Sequence, residues 1–390
     1  MKQRRIPAVY MRGGTSKGLF FLAEDLPSDP AQRDRLLLRA IGSPDPFGKQ
    51  IDGLGGATSS TSKVAIISRS ARADCEVDYL FGQVAIDAPM IDWSGNCGNL
   101  TGAVGPFAIG AGLLAAPTEG VATVRIWQAN IARKIVAHVP MCRGEVEEGG
   151  EFRLDGVAFP AAEVKLEFLD PAGEDGESGA GAGAGATFPT GQAIDRLEVP
   201  GHGSIEATLI NAGNPTIFVD AFALGLAGTE LQRDLAGRSD LFDLVEAVRS
   251  IGAVAMGLAA TPEEATAKRP HTPKVAVVAR PSRYTASDGR CIEATAIDLL
   301  ARIFSMGQLH HAMTGTGAVA LAAAAAIPGT IVHRVARRCA EGTLRFGHPS
   351  GTLTTGAVAE HRDGRWTIRK VIVSRSARRL MEGWVCVPET

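Results

Sequence analysis

The sequence carries almost no net charge: 42 acidic residues stand against 40 basic ones. No global field therefore recruits nucleic acid or an anionic membrane surface, and any anion must be held by a local site. Paired cysteine patterns are missing as well. The six thiols (75, 97, 142, 291, 339 and 386) include no CxxC and no paired Cys/His zinc spacing. Without an export signal this predicts reduced thiols and no structural metal. No such signal is visible, because the basic start Met1 to Arg5 is followed by an apolar stretch interrupted too early to form a signal-peptide core. A cytoplasmic protein is expected. Long hydrophobic runs are also lacking. The longest, Ala318 to Pro328, is mostly alanine, too short to span a bilayer, and reads as a buried helix.

Apolar residues are plentiful at 45% of 390, enough for two ordinary domains that each bury a core. Residues 1 to 165 show strand-like alternation and short glycine turns, as in Val121 to Trp127 and Ile131 to Val139. Gly173 to Ala186, with its Gly-Ala repeat, cannot bury anything and reads as a flexible loop or linker near the domain junction. Beyond it, strands are predicted around Ile205 to Ile210, Thr216 to Val219 and Lys274 to Ala279, and helices around Asp240 to Met256 and Glu293 to Phe304. Two internal echoes point to duplication. Lys63-Val-Ala-Ile-Ile-Ser-Arg-Ser-Ala-Arg72 resembles Lys370-Val-Ile-Val-Ser-Arg-Ser-Ala-Arg378, and Gly98 to Ile109 resembles Gly315 to Ile327 as a glycine-rich approach to an apolar helix.

Asn96-Cys97-Gly98-Asn99 precedes the apolar run Leu100 to Leu114, so a helix is expected with Cys97 near its first turn. Free N–H groups at a helix start can hold a carboxylate or lower a thiol's pKa; the alternative is a small buried cysteine. Met11-Arg-Gly-Gly-Thr-Ser-Lys-Gly18 puts Arg12, Thr15, Ser16 and a turn of amides in one short loop. That inventory suits carboxylates, and equally an ordinary hairpin turn. The order of glycine and lysine is wrong for a Walker loop, and Gly42 to Gln50 fails that pattern too. The polar loop Asp52 to Ser62 runs into a strand, placing Lys63 at the border. Such a lysine is ordinarily a solvated charge. As a general base it must first lose a proton, at a cost of about 4 kcal/mol at neutral pH unless burial lowers its pKa.

His310 and His311 lead into Thr314-Gly315-Thr316-Gly317 before the alanine-rich helix, mirroring Cys97 before its own. Adjacent histidines are expected to point to different faces, and packing or surface roles compete with a binding one. Asn211-Ala-Gly-Asn214-Pro215 and Gly347-His348-Pro349-Ser350-Gly351 add turns rich in amide donors, suited to carboxylate contacts.

At these residues the sequence resembles the PrpF family, the 2-methylaconitate cis-trans isomerases, which share the two-lobed fold of diaminopimelate epimerase. The segments that carry the resemblance are Met11 to Gly18, Ile41-Gly-Ser-Pro-Asp-Pro46, Gln50-Ile-Asp-Gly53, Thr58-Ser-Ser-Thr-Ser-Lys63, Asp92-Trp-Ser-Gly-Asn-Cys-Gly-Asn-Leu100, Arg125-Ile-Trp-Gln-Ala-Asn130 and Arg345-Phe-Gly-His-Pro-Ser-Gly351. The resemblance implies an α+β fold of two pseudo-symmetric lobes, each a mostly antiparallel curved sheet or barrel around a central apolar helix. Residues 1–190 would carry Lys63 and Cys97, 191–375 would close the cleft, and 376–390 would return to the first lobe. It also implies Lys63 and Cys97 as the catalytic pair, with substrate contacts from Arg12, Thr15, Ser16, Ser62, Gly98, Asn99, Asn214, His310, Thr314, Gly315 and Ser350. No cofactor and no metal is expected. The expected partner is a small tricarboxylate, with neither nucleic acid nor membrane, and a homodimer is admitted.

Epimerases of that fold carry a second cysteine in a Cys-Gly-Thr-Gly-Ala motif, where this chain reads Thr314-Gly-Thr-Gly-Ala318. A threonine hydroxyl, whose pKa is far above a thiol's, cannot share a symmetric two-base racemisation. The substitution argues against amino-acid epimerisation and fits an isomerase in which Lys63 is the other proton carrier. The resemblance then implies conversion of trans- to cis-2-methylaconitate in the methylcitrate cycle of propionate breakdown. Relatives that act on 4-oxalomesaconate use the same lysine and cysteine, and the segments Asp92 to Asn96 and Ile41 to Pro46 rank methylaconitate first. A Cys-His hydrolase using Cys97 with His310 or His311, and a non-catalytic anion-binding protein, are the rival classes.

Overall fold

The computed structural model describes residues 3–172, 186–337 and 342–388. Of the expected linker only Ala186 is among them; its residues 173–185, like Cys339, lie outside the described residues. The chain divides into two units, Met1–Leu166 with Ser374–Thr390, and Glu167–Val373.

In the first unit, strands Gln3–Gly13 and Ser16–Leu22 form a hairpin with Gly13 opposite Ser16. Its tight turn needs a left-handed residue, which Gly14 supplies at φ +52°. Helix Pro30–Ile41 follows, started by the Asp29 side chain accepting from the Gln32 N–H, and it buries Leu37 and Ile41 completely. Strand Lys63–Arg69 runs parallel to Ser16–Leu22 and antiparallel to Val77–Val84. Val77–Val84 is in turn parallel to Gly120–Gln128, which pairs antiparallel with Arg133–Cys142. The last strand, Ala377–Pro388, lies antiparallel along the whole of Gln3–Gly13. Helix Thr101–Gly110 is apolar on every side, so it has no face to offer water, and Thr101 to Ala108 are all buried. Gly105 lets a strand approach it closely: a Cβ there would lie 2.7 Å from Val139 Cγ2.

The second unit repeats this order. Gly203–Ala212 and Asn214–Asp220 make the hairpin, and helix Ser239–Ala255 follows. Lys274–Ala279 runs parallel to Asn214–Asp220 and antiparallel to Leu299–Ser305. Leu299–Ser305 is parallel to Thr343–His348, which pairs antiparallel with Gly351–Arg362. The buried helix here is Gly315–Ala326. Five strand pairings thus recur in the same order and sense, and the fold is the duplicated α+β architecture expected.

Two sequence readings are corrected. The predicted helix over Glu293 to Phe304 is a short 3-10 turn, Ala294–Ala296, followed by strand Leu299–Ser305. Every residue of that strand is buried, so both of its faces are covered and it lacks the alternation that marks a half-exposed strand. The Lys63 to Arg72 echo does not mark equivalent places. The topological partner of strand Lys63–Arg69 is Lys274–Ala279, whereas the second copy of the motif lies on Arg365–Arg375. The helix echo does fall on equivalent elements.

Candidate active site

Lys63 is the first residue of its strand, and Gly18 on the parallel neighbour leaves room for it: a Cβ on Gly18 would lie 2.6 Å from the Lys63 carbonyl oxygen. The lysine is 5% exposed. Its Nζ donates to Gln83 Oε1 at 2.5 Å and sits 5.0 Å from the centroid of the Phe81 ring. Its ionisable neighbour is the Cys97 thiol, in hydrogen-bonding contact. Burial pushes the Lys63 pKa down, and the charge and hydrogen bond of Cys97 oppose that only in part. The site therefore holds an amine whose proton is easier to remove than that of an exposed lysine.

Gln83 stands directly opposite Lys63 across the strand pair. Its Nε2 donates to the Ser62 carbonyl at 3.1 Å, which turns Oε1 toward the amine. A base that must be deprotonated makes kcat/KM rise with pH, and the limb is expected below 10.5, the ordinary lysine value. Gln83→Leu removes an acceptor that favours the ammonium form. It should move this limb to still lower pH and cost about tenfold in kcat/KM. An unmoved limb would show that the titrating group is not held by Gln83.

Cys97 lies one turn ahead of helix Thr101–Gly110 and is 7% exposed. Its carbonyl accepts from the Thr101 N–H at 2.9 Å and the Thr101 hydroxyl at 3.0 Å, and its sulfur accepts from the Leu100 N–H at 3.5 Å. Gly98 is buried in the same turn. Asn99 joins the neighbouring pieces: its Nδ2 donates to Thr15 Oγ1 at 2.9 Å and to Ser16 Oγ at 3.4 Å, and its Oδ1 accepts from Arg375 Nε at 3.1 Å. Lys63, Cys97, Gly98, Asn99, Thr15 and Ser16 are thus gathered on one unit.

Arg12 and Ser62 make hydrogen bonds within the same unit. Arg12 Nη1 donates to the carbonyls of Gly14 (3.1 Å) and Ser376 (3.0 Å), tying the hairpin to the C-terminal strand. Ser62 is fully buried and donates to Gln50 Oε1 at 2.7 Å, shaping the loop that delivers Lys63. Three residues beside the pair were not picked out from the sequence: Gln83, Arg375 and Tyr79. The Tyr79 phenol is pushed well above its ordinary pKa by burial and then by the charge of Cys97, so it stays neutral.

On the second unit, His310 and His311 stack, with ring centroids 4.7 Å apart. This corrects the expectation of opposite faces: they lie in irregular chain after strand Gln308–Leu309, where alternation does not apply. His310 Nδ1 accepts from the Ala312 N–H at 3.1 Å, and Ser350 Oγ donates to the His311 carbonyl at 2.6 Å. Asn214 is fully buried at the start of its strand. Thr314 caps helix Gly315–Ala326, its Oγ1 accepting from the Gly317 N–H at 3.1 Å. Thr314→Ala should cost about 1 kcal/mol of stability through the lost cap and far less turnover than loss of Lys63. An equally large loss of turnover would put that hydroxyl on the substrate.

Among the described residues no three His, Cys, Asp or Glu side chains group as metal ligands, and no helix is long and apolar enough to cross a membrane.

The duplicated architecture is that of the diaminopimelate epimerase-like fold class. Within that class the chain belongs to the PrpF family, described as "PrpF protein", whose model matches residues 3–388. It is 59% identical to the 2-methyl-aconitate isomerase of Cupriavidus necator, covering 99% of this chain and 98% of that one. It is 57% identical to the 2-methyl-aconitate isomerase of Shewanella oneidensis, covering 99% and 98%. Among solved structures, a methylitaconate-delta-isomerase is similar at a TM-score of 0.76 and 39% identity, covering 99% of this chain and 96% of that one.

Proposed function

We propose that this chain interconverts trans- and cis-2-methylaconitate, with Lys63 and Cys97 as its proton-transferring groups. The observation that carries the reading is the Lys63 amine buried beside the Cys97 thiol, since burial pushes its pKa down and so eases its use as a base, against the opposing pull of Cys97 and Gln83. Relatives at 57% and 59% identity that bear the isomerase name support the choice of substrate.

Rotation about a carbon–carbon double bond is blocked until its order falls. The methylene group of the substrate is adjacent to one carboxylate and conjugated through the alkene to another. When neutral Lys63 takes a methylene proton, the C–H electron pair spreads into the alkene and carboxylate, and the former double bond can turn. Return of the proton to the same carbon gives the other isomer. Cys97 serves as the second acid–base group, while the amides of the 97–99 turn, with Thr15 and Ser16, hold carboxylate oxygens as charge spreads onto them. Each step moves only a proton, so the reaction as written uses no cofactor. We place the enzyme in the cytoplasm, supplying cis-2-methylaconitate for hydration in the methylcitrate cycle.

The test is a side-by-side assay with trans-2-methylaconitate and 4-oxalomesaconate. A higher kcat/KM for the first is expected. The reverse preference overturns the substrate, and turnover of neither overturns the isomerase reading.

A further inference from the structure

Arg375 is the last residue of strand Arg365–Arg375 and is 1% exposed. A guanidinium has five N–H donors to satisfy. Here Nε donates to Asn99 Oδ1 at 3.1 Å and Nη1 to the Ser374 carbonyl at 2.8 Å, while Nη2 is sealed from water without a hydrogen-bond partner. The ionisable group that acts on it is the Cys97 thiol, and burial brings its pKa down to about 10. An unpaired buried cation is costly, and a buried donor with nothing to bond in a functional site marks where a partner is missing.

The neighbourhood is shaped around this side chain. A Cβ on Gly14 would lie 3.0 Å from Arg375 Cδ and 2.7 Å from Asn99 Oδ1, and one on Gly102 would lie 3.0 Å from Arg375 Cβ. The echoed motif supplies a contrast within the same unit. Arg69, at the matching place in Ser68-Arg69-Ser70-Ala71-Arg72, is exposed and gives its two terminal nitrogens to the carbonyls of Leu113 and Gly112, just past the C-terminal end of helix Thr101–Gly110. Arg375 sits at the N-terminal end of that helix with one terminal nitrogen unspent, beside the reactive turn.

We propose that Arg375 is a substrate-binding residue whose Nη2 takes one carboxylate of the tricarboxylate at the Cys97–Asn99 turn. Asn99 is then a positioning residue, fixing the guanidinium through Nε. The proposal rests on the isomerase reading above and deepens it. A charged donor already desolvated and fixed through Nε has little desolvation cost left to meet once an anion reaches it, so its contact should count strongly in binding.

The test uses the full chain with Arg375→Met and Arg375→Lys, measuring calorimetric Kd. The probes are trans-aconitate and three dicarboxylates, itaconate, glutaconate and mesaconate, which each lack a different one of its three carboxylates. Arg375→Met should weaken trans-aconitate by about 30-fold or more, and one dicarboxylate, the one without the carboxylate that Arg375 holds, by less than about threefold. Arg375→Lys, which keeps the charge without the fork, should fall between. Equal weakening of all four probes, no weakening, or a wild-type chain that binds none of them overturns the proposal. If the methionine variant does not fold, the lysine variant carries the same comparison. A wild-type chain that binds trans-aconitate but leaves 2-methylaconitate unchanged defeats the functional reading and leaves the Arg375 result standing on its own.

Discussion

Lys63→Ala is expected to lower turnover by about three orders of magnitude or more while the tricarboxylate still binds. The amine is the group that Gln83 and Cys97 converge on, so the variant loses the proposed proton carrier itself. Asn99, Thr15 and Ser16, proposed above around the carboxylates, are bonded to one another, so they stay in place when Lys63 is truncated. Collapse of the fold is not expected, because removing a buried amine also removes its desolvation cost, which offsets the lost contacts. The split between kcat and binding is the informative readout: kcat should fall while Kd for trans-aconitate moves only a few-fold. Turnover retained within about tenfold would reject Lys63 as the carrier.

Cys97→Ser should be the second severe loss, by about a hundredfold or more, although the replacement is close in size. The sulfur meets the Lys63 amine and the Leu100 N–H in a nearly closed environment, so the serine hydroxyl fits the same space. What changes is acidity, since an alcohol gives up its proton far less readily than a thiol. If Cys97 were only packing, the variant would keep its rate and its melting temperature. Low turnover with unchanged melting is the predicted pairing, and unchanged turnover would remove Cys97 from the chemistry.

What the sequence made legible was local. Cys97, Gly98 and Asn99 were visible because a polar glycine turn stands directly before an apolar helix, and helix Thr101–Gly110 follows as expected. The alternating strands of the first unit were visible because one face of each is buried and the other is not, as in Arg133–Cys142. Leu299–Ser305 was misread because burial on both faces erased the alternation. Gln83 was missed because its role depends on strand register, which pairs it with Lys63 across 20 positions. Arg375 was missed for a related reason. Its partner Asn99 lies 276 positions away, and its motif reads as a copy of the Lys63 to Arg72 segment, a sign of duplication and not of a site. Identical letters there serve opposite ends of one helix, a difference made by tertiary contact alone.

The most direct test of the central claim, that Lys63 moves a methylene proton, is the reaction run in deuterium oxide to low conversion. A different route reaches the same product: the Cys97 thiolate adds to the alkene, the resulting single bond rotates, and the thiolate leaves. Only proton transfer must break a methylene C–H bond. An ammonium carries three interchangeable hydrogens, so one return step from Lys63 delivers solvent isotope about two times in three when isotope effects are set aside. Deuterium in the methylene group of the product, partial or complete, is the predicted result. Product without methylene deuterium, together with no isotope effect from substrate deuterated at that carbon, would contradict the account and favour covalent addition by Cys97.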